Sequence, residues 1–104
     1  MPYQEGPMTE AMYYVLLALS KPTHGYQLMI DIKEISGGRI EMGPGTLYGV
    51  LTRLLKEKLL RIKQDDGRRK TYELTEQGEI ALKVEYQRLK LMIKDGVFLE
   101  EDSL

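Results

Sequence analysis

The sequence predicts a winged helix-turn-helix, a mainly α fold with a small β wing (α+β), followed by a C-terminal helix that we expect to hold a dimer. Apolar residues recur at helical spacing in four segments of the chain. Two short segments of alternating polarity flank the turn dipeptide Asp66-Gly67, after the third helical segment. With 104 residues, the chain is expected to build a single hydrophobic core.

The first two predicted helices supply the start of the helix-turn-helix. Helix 1 follows Thr9, a residue type that favours helix N-caps, and stops at Lys21-Pro22. Its apolar residues fall at i, i+3, i+4 and i+7, namely Met12, Val15, Leu16 and Leu19. Helix 2 follows His24-Gly25 and ends near Ser36-Gly37-Gly38. Its apolar residues are Leu28, Ile32 and Ile35.

The connection between helices 2 and 3 is about seven residues long. We expect Arg39–Met42 to form a short strand there that pairs with the wing, because its residues alternate in polarity. Helix 3 opens at Gly43-Pro44, with the proline in its first turn, and runs to about Lys58.

The wing and a last helix complete the predicted fold. The wing strands cover 61–65 and 70–74, with Ile62, Tyr72 and Leu74 as inward-facing candidates. Thr75 is positioned to cap a helix that ends near Lys94-Asp95-Gly96. We therefore divide the chain into a winged-helix DNA-binding part, 1–74, and a C-terminal dimerisation helix with its tail, 75–104.

The composition argues against an enzyme. The chain has no cysteine and one histidine, so we expect neither a metal site nor a cofactor. Its longest apolar run is too short to span a membrane, and its start has no secretory signal, which favours a cytoplasmic location. His24 is either a titrating sensor or a structural residue at the start of helix 2. The helix dipole disfavours a protonated imidazole there, which favours the structural role.

The middle of the chain is basic although the formal net charge is −1. Residues 39–70 hold nine basic and four acidic side chains, and the remainder of the chain is acidic. This distribution is typical of a protein that contacts phosphates with one surface. A run of solvated helix charges would give the same charge distribution in the sequence. The geometry of helix 3 therefore has to distinguish this alternative from a phosphate-contacting surface.

Helix 3 has an apolar face and an exposed face. The apolar face carries Leu47, Val50, Leu51, Leu54 and Leu55. The opposite side carries the candidates for DNA binding: Thr46, Tyr48, Gly49, Thr52, Arg53 and Lys56. A glycine within a helix costs up to ~1 kcal/mol relative to alanine. Gly49 is therefore either a site of close approach by DNA or a glycine that the helix tolerates.

The wing adds a compact basic cluster, Arg68, Arg69 and Lys70. Such a cluster suits contact with the minor groove or the DNA backbone, although Asp65 and Asp66 beside it would repel phosphate. We expect double-stranded DNA as the partner. A winged-helix module that binds another protein is the alternative, and the salt dependence of DNA binding would separate the two.

Two apolar stripes on the last helix predict a dimer. One stripe consists of Ile80, Val84 and Leu91, and the roughly opposite stripe consists of Leu82, Tyr86, Leu89 and Ile93. We place Glu85 and Arg88 on a charged flank between them. One small domain covers a single stripe, so we expect the second stripe to form the dimer interface. The alternative is that helix 1 covers the second stripe within a monomer.

Three stretches, in this order, resemble the PadR family of bacterial transcriptional regulators. They are His24-Gly25-Tyr26-Gln27-Leu28, then Gly45-Thr46-Leu47-Tyr48 with Leu51 and Leu54, then Arg68-Arg69-Lys70-Thr71-Tyr72-Glu73-Leu74-Thr75-Glu76-Gln77-Gly78. The resemblance covers roughly residues 9 to 95. It implies a cytoplasmic homodimer that represses transcription at a pseudo-palindromic operator, with helix 3 in the major groove and the wing alongside.

The short C-terminal part is similar to the PadR subfamily with a single dimerisation helix. That subfamily includes repressors that release DNA when phenolic acids or planar cationic drugs bind in the dimer cleft. The resemblance thus implies a small aromatic or phenolic effector. Some drug-binding members use tryptophans in the cleft, whereas this chain has none, which leaves Tyr, Phe and Met as its walls.

Overall fold

The computed structural model describes residues 6–101. Its elements, in chain order, are α1 (Glu10–Ala18), β1 (Thr23–His24), α2 (Gly25–Ile35), α3 (Pro44–Lys56), β2 (Leu60–Asp65), β3 (Lys70–Leu74) and α4 (Glu76–Asp95), followed by a 3-10 helix over Val97–Glu100. This order confirms the predicted winged helix with a long C-terminal helix. No helix in the described range combines the length and apolar character that a membrane span requires.

Local capping interactions place the helix starts where the sequence predicts them. The Thr9 side chain accepts a hydrogen bond from the Met12 N–H at 3.1 Å, and the Thr75 side chain accepts one from the Gly78 N–H at 2.9 Å. At the start of α2, Nδ1 of His24 accepts from the Gln27 N–H at 3.4 Å. His24 thus has the structural role that we favoured.

The third strand of the wing comes from a different segment than expected. Arg39–Met42 is not a strand; β1 instead pairs antiparallel with β3, with Thr23 opposite Tyr72, and the strand order is β1-β3-β2. The connection is held by α2 and the core: the Ile40 N–H donates to Ser36 Oγ at 3.0 Å, and Met42 is buried. These contacts leave the segment no part in the sheet.

The core lies between α1, α2 and α3 and is closed by the base of the wing. Its fully buried side chains are mainly the predicted apolar ones, including Met12, Val15, Leu16, Leu28, Ile32, Leu47, Leu51 and Leu54. Two predicted inward positions are wrong. Ile35, the last residue of α2, is half exposed, and Ile62 is 40% exposed. The pairing of β2 with β3 is irregular between Ile62 and Gln64. This irregularity interrupts the alternation of inward and outward side chains that the prediction assumed.

The face of α4 that packs against the rest of the chain does not coincide with either of the two predicted stripes. The helix buries Gly78, Ala81 and Glu85, and Leu82 packs partly buried against the core. Ile80 and Val84 remain exposed. Small side chains on this face let the α4 backbone approach Leu59 closely. Glu85 does not lie on a solvated flank as expected: it is only 5% exposed and lies beside Met8 and Tyr13.

Candidate DNA interface

The solvent-exposed face of α3 carries all six residues that the sequence singled out: Thr46, Tyr48, Gly49, Thr52, Arg53 and Lys56. The start of the helix is open, because Gly43 provides no side-chain cap and Pro44 is the first helical residue. Backbone N–H groups in such a first turn are available to an anion. The Thr52 hydroxyl donates to the Tyr48 carbonyl at 2.8 Å, so it is already engaged within the helix.

Gly49 and Arg53 both lie on this face, but their surroundings differ. Apart from its chain neighbours and the backbone of its own helix, no described atom lies within 4 Å of a Cβ built on Gly49, so the fold itself does not require a glycine there. The Arg53 guanidinium forms an ion pair with Glu57 one turn further on, with Nε 2.9 Å from the carboxylate. Arg53 is thus held along the helix surface by an internal acid.

The two acidic residues of the wing tip form hydrogen bonds within the turn. Asp66 accepts hydrogen bonds from the backbone N–H groups of Arg68 at 3.1 Å and Arg69 at 2.8 Å, and Asp65 accepts one from the Gly67 N–H at 2.9 Å. The bond from Arg68, and then that from Arg69, lower the pKa of Asp66. The two carboxylates that we expected to repel phosphate therefore order the loop that carries the cations.

The cations of the basic middle fall into two groups. Arg39, Arg53 and Arg61 form ion pairs with acids of the chain. Within residues 6–101, no carboxylate lies within ion-pair distance of the other six, which are Lys56, Lys58, Lys63, Arg68, Arg69 and Lys70. All six are exposed. The unpaired positive charge of this region is thus concentrated on the wing and the end of α3.

A groove runs between α3 and the wing. It is lined by Tyr48 and Thr52 from the helix, Tyr72 from β3 and the three cations of the tip, Arg68, Arg69 and Lys70. Burial, and then the proximity of Tyr48, raise the pKa of Tyr72, which forms the floor of the groove. The structure thus brings the helix candidates and the wing candidates to one surface.

The four predicted dimer residues lie in two environments. Leu82 packs on the core of its own protomer, and Leu89 is half-buried. Tyr86 and Ile93 are 51% and 69% exposed. Further large apolar side chains are exposed near the end of α4 and in the 3-10 helix: Leu91, on the opposite side of α4, and Met92, Val97, Phe98 and Leu99. The sequence interpretation did not include the last three, because they follow the glycine that ends α4.

A second groove, of about 500 Å³, lies between α1 and α4. Its walls include Tyr13 and Tyr14 of α1, and the Arg39 guanidinium reaches in from the α2–α3 connection to donate to the Tyr14 hydroxyl at 2.9 Å. Burial, followed by nearby Tyr86, raises the pKa of Tyr13. Sequence reasoning did not single out this set, because its members come from segments far apart in the chain.

One ion pair with a buried carboxylate also borders this second groove. The Glu85 carboxylate accepts two hydrogen bonds from the Arg88 guanidinium, one of them 2.9 Å long. These bonds lower the pKa of Glu85 and keep it ionised although it is buried. Among the described residues, no three His, Cys, Asp or Glu side chains converge as metal ligands.

Comparison with known proteins identifies the family. The model of the "Transcriptional regulator PadR-like family" matches residues 15–84. An uncharacterized 37.1 kDa protein in transposon Tn4556 of Streptomyces fradiae is 40% identical over 77 residues, which are 73% of this chain and 22% of that protein. The transcriptional regulator YqjI of Escherichia coli K12 is 36% identical over 56 residues, 54% of this chain and 27% of that protein. The chain thus spans about a quarter of the length of these relatives.

Solved structures share the fold. A PadR family transcription regulator from Clostridium difficile has a TM-score of 0.69 and 24% identity, over 88% of this chain and 97% of that one. BpsR of Bordetella bronchiseptica, whose DNA binding is regulated by 6-hydroxynicotinic acid, has a TM-score of 0.65 and 23% identity, over 98% of this chain and 71% of that one. PadR regulators bind DNA, often as dimers. The chain belongs to the PadR-like family of transcriptional regulators.

Proposed function

We propose that the protein is a repressor that binds a pseudo-palindromic operator as a homodimer, with α3 in the major groove and the wing alongside. The observation that carries this proposal is the unpaired positive charge beside the exposed face of α3. Cations that no acid among residues 6–101 neutralises release counterions when they meet phosphates, which drives binding. A dimer seated on an operator that overlaps a promoter represses by exclusion. Because bacterial chromosomes lie in the cytoplasm, we place the protein there.

Within this proposal the residues of α3 have different tasks. The open start of the helix at Thr46 suits a backbone phosphate, and Lys56 at the other end suits a phosphate further along. Arg53 and Thr52 lie between them, where side chains reach base edges. The empty space at Gly49 leaves room for the DNA to approach the helix backbone.

The exposed apolar surface at the end of the chain supports the homodimer. Monomeric proteins rarely expose so many large apolar side chains in one region, and Tyr86, Leu89 and Ile93 lie within it. Covering it with the same surface of a second chain gives a twofold interface and places two copies of α3 on successive major grooves. We therefore propose that residues 75–104 serve as the dimerisation part; of these, 102–104 lie outside the described residues.

The groove between α1 and α4 is our candidate for a small aromatic or phenolic effector. Its walls carry tyrosine rings and methionines, among them Tyr13, Tyr14 and Met92, in line with a pocket built without tryptophan. Arg39 offers a guanidinium to an acidic group of a ligand. The regulation of BpsR by 6-hydroxynicotinic acid, an aromatic acid, supports this class of effector.

The operator itself tests the proposal. Genomic fragments from the host should be selected with the purified protein and sequenced. We expect enrichment of one motif with two inverted half-sites, whose centres lie about one helical turn or a multiple of it apart. Enrichment of no motif, or of a motif without symmetry, would contradict a dimeric repressor.

The wing provides a mutational prediction. Replacing both Arg68 and Arg69 by alanine should weaken binding to operator and unrelated DNA alike, because these residues are expected to contact phosphates. The slope of log K against log salt should become shallower by roughly one to two units for each protomer. Titrations at several salt concentrations measure both effects.

A matched control removes two lysines that lie away from this surface, Lys21 and Lys83, both exposed. That double variant changes the net charge by the same amount and should keep the slope of the parent protein. If the arginine variant also keeps the slope of the parent, the cluster is a solvated tip with no role in DNA binding.

A further inference from the structure

The start of α2 and the exposed face of α3 meet at a single unusual contact. The Tyr48 ring lies directly against the backbone of Gly25, which is buried. A Cβ at position 25 would overlap the Tyr48 hydroxyl, and it would lie 2.9 Å from Cζ and 3.2 Å from Cε1 of the same ring. The Tyr48 ring can therefore occupy its observed position only if residue 25 has no side chain.

The backbone conformation does not explain the glycine. Gly25 is not among the residues with positive φ, so any amino acid could adopt its backbone angles. Glycine is one of the least favourable residues within a helix, and an alanine at this position would otherwise stabilise α2. Tyr48 supplies all three of the nearest atoms that a Cβ would meet. The space for Tyr48 is therefore the structural reason for a glycine here.

The contact fixes Tyr48 relative to the wing as well as to α2. Gly25 directly follows β1, and β1 pairs with β3, with His24 opposite Thr71. Tyr48 itself lines the groove between α3 and the tip cations Arg68, Arg69 and Lys70. The ring is thus seated where α2, α3 and the sheet converge, and 47% of the residue remains exposed.

The Tyr48 hydroxyl has no hydrogen-bond partner among residues 6–101, although the ring that carries it is held in place. The groove that it lines holds one carboxylate, Asp65, and the three cations of the wing tip, so the excess of positive charge attracts phosphate to the same place. We infer that Gly25 is a positioning residue for DNA binding, whose bare backbone seats the Tyr48 ring so that the phenol hydroxyl donates to a backbone phosphate. This inference rests on the proposed DNA-binding surface.

The salt dependence of binding distinguishes the proposed Tyr48 contact from the contacts of the wing cations. A phenol is uncharged, so its hydrogen bond to a phosphate releases no counterion. A bond to a charged acceptor is worth about tenfold or more in affinity. Tyr48→Phe should therefore weaken binding to every DNA sequence by about tenfold, with an unchanged salt slope and an unchanged melting temperature.

Gly25→Ala tests the positioning role. It should weaken DNA binding at least as much as Tyr48→Phe, again with an unchanged salt slope. The double variant Gly25→Ala/Tyr48→Phe should bind no more than about twofold more weakly than Gly25→Ala, because both changes remove the same contact. Normal affinity of Gly25→Ala, or losses that multiply in the double variant, would overturn the inference.

A second comparison, made in the variant Tyr48→Ala, tests the inference even if Gly25→Ala folds poorly. In Tyr48→Ala the ring is absent, so adding Gly25→Ala should leave the melting temperature the same or raise it. A further fall would show that position 25 excludes a side chain for a reason other than Tyr48, which would overturn the inference. If the parent protein binds no DNA, the proposed function fails; if it binds and Tyr48→Phe binds equally well, only this inference fails.

Discussion

Gly78→Ala is expected to destabilise the protein by about 2–3 kcal/mol, which corresponds to a fall in melting temperature of roughly 10–20 °C. A Cβ at this position would overlap the carbonyl oxygen of Leu59 and lie 2.9 Å from its carbonyl carbon. These are backbone atoms, which cannot rotate away as a side chain does. The better helix propensity of alanine offsets at most ~1 kcal/mol of this cost. Thermal or urea denaturation measures the effect.

Gly49→Ala is the matched control, because it makes the same change in the middle of a helix where the added Cβ would meet no described atom outside the neighbouring helix backbone within 4 Å. It should stabilise the protein by up to ~1 kcal/mol. If Gly78→Ala melts within a few degrees of the parent protein, α4 does not pack against Leu59 as described.

The close approach at Gly78 matters because it joins α4 to the end of α3. The Thr75 N–H donates to the Leu59 carbonyl at 3.1 Å, and the Thr75 hydroxyl donates to the Lys58 carbonyl at 2.7 Å. Two hydrogen bonds and one tight backbone contact therefore fix the angle between the two helices. In the proposed dimer this angle sets the distance between the two copies of α3, and with it the spacing of the half-sites.

Ile93→Asp is expected to convert the proposed dimer into a folded monomer with at least 100-fold weaker operator binding. Ile93 is 69% exposed within one chain, so an aspartate there costs the isolated protomer little. At a covered interface the same carboxylate would be buried without a partner, which costs several kcal/mol. Analytical ultracentrifugation measures the assembly, and circular dichroism checks that the fold is intact.

Val84→Asp provides the comparison, because Val84 is similarly exposed on the other side of the same helix. This variant should remain a dimer and bind the operator as the parent protein does. An Ile93→Asp protein that sediments as a dimer with normal affinity would place the interface elsewhere on the chain.

Features set by neighbours in the sequence were predictable. Thr9 and Thr75 cap their helices through N–H groups three residues away, and Asp66-Gly67 forms the turn between two strands. Each depends on a few consecutive residues with well-known preferences. The leucine face of α3, and hence its exposed face, followed from helical periodicity in the same way.

Features set by contacts between distant segments were not predictable. The third strand pairs Thr23 with Tyr72, some fifty residues away, whereas the alternation at Arg39–Met42 suggested a strand that the core contacts of Met42 prevent. Glu85 is a charged residue in a helix, and nothing in the sequence indicates that its pairing with Arg88 allows it to be buried. Likewise, the contact of Gly25 with Tyr48 appears only once α2 and α3 are packed.

The most direct test of the central claim, that α3 and the wing form a phosphate-binding surface, is the salt dependence of binding to the selected operator. Each phosphate neutralised contributes about −0.9 to the slope of log K against log salt. Lys56, Arg68, Arg69 and Lys70 in two protomers therefore predict a slope of roughly −4 to −7. A slope near zero, in a protein that is folded and dimeric, would contradict the account.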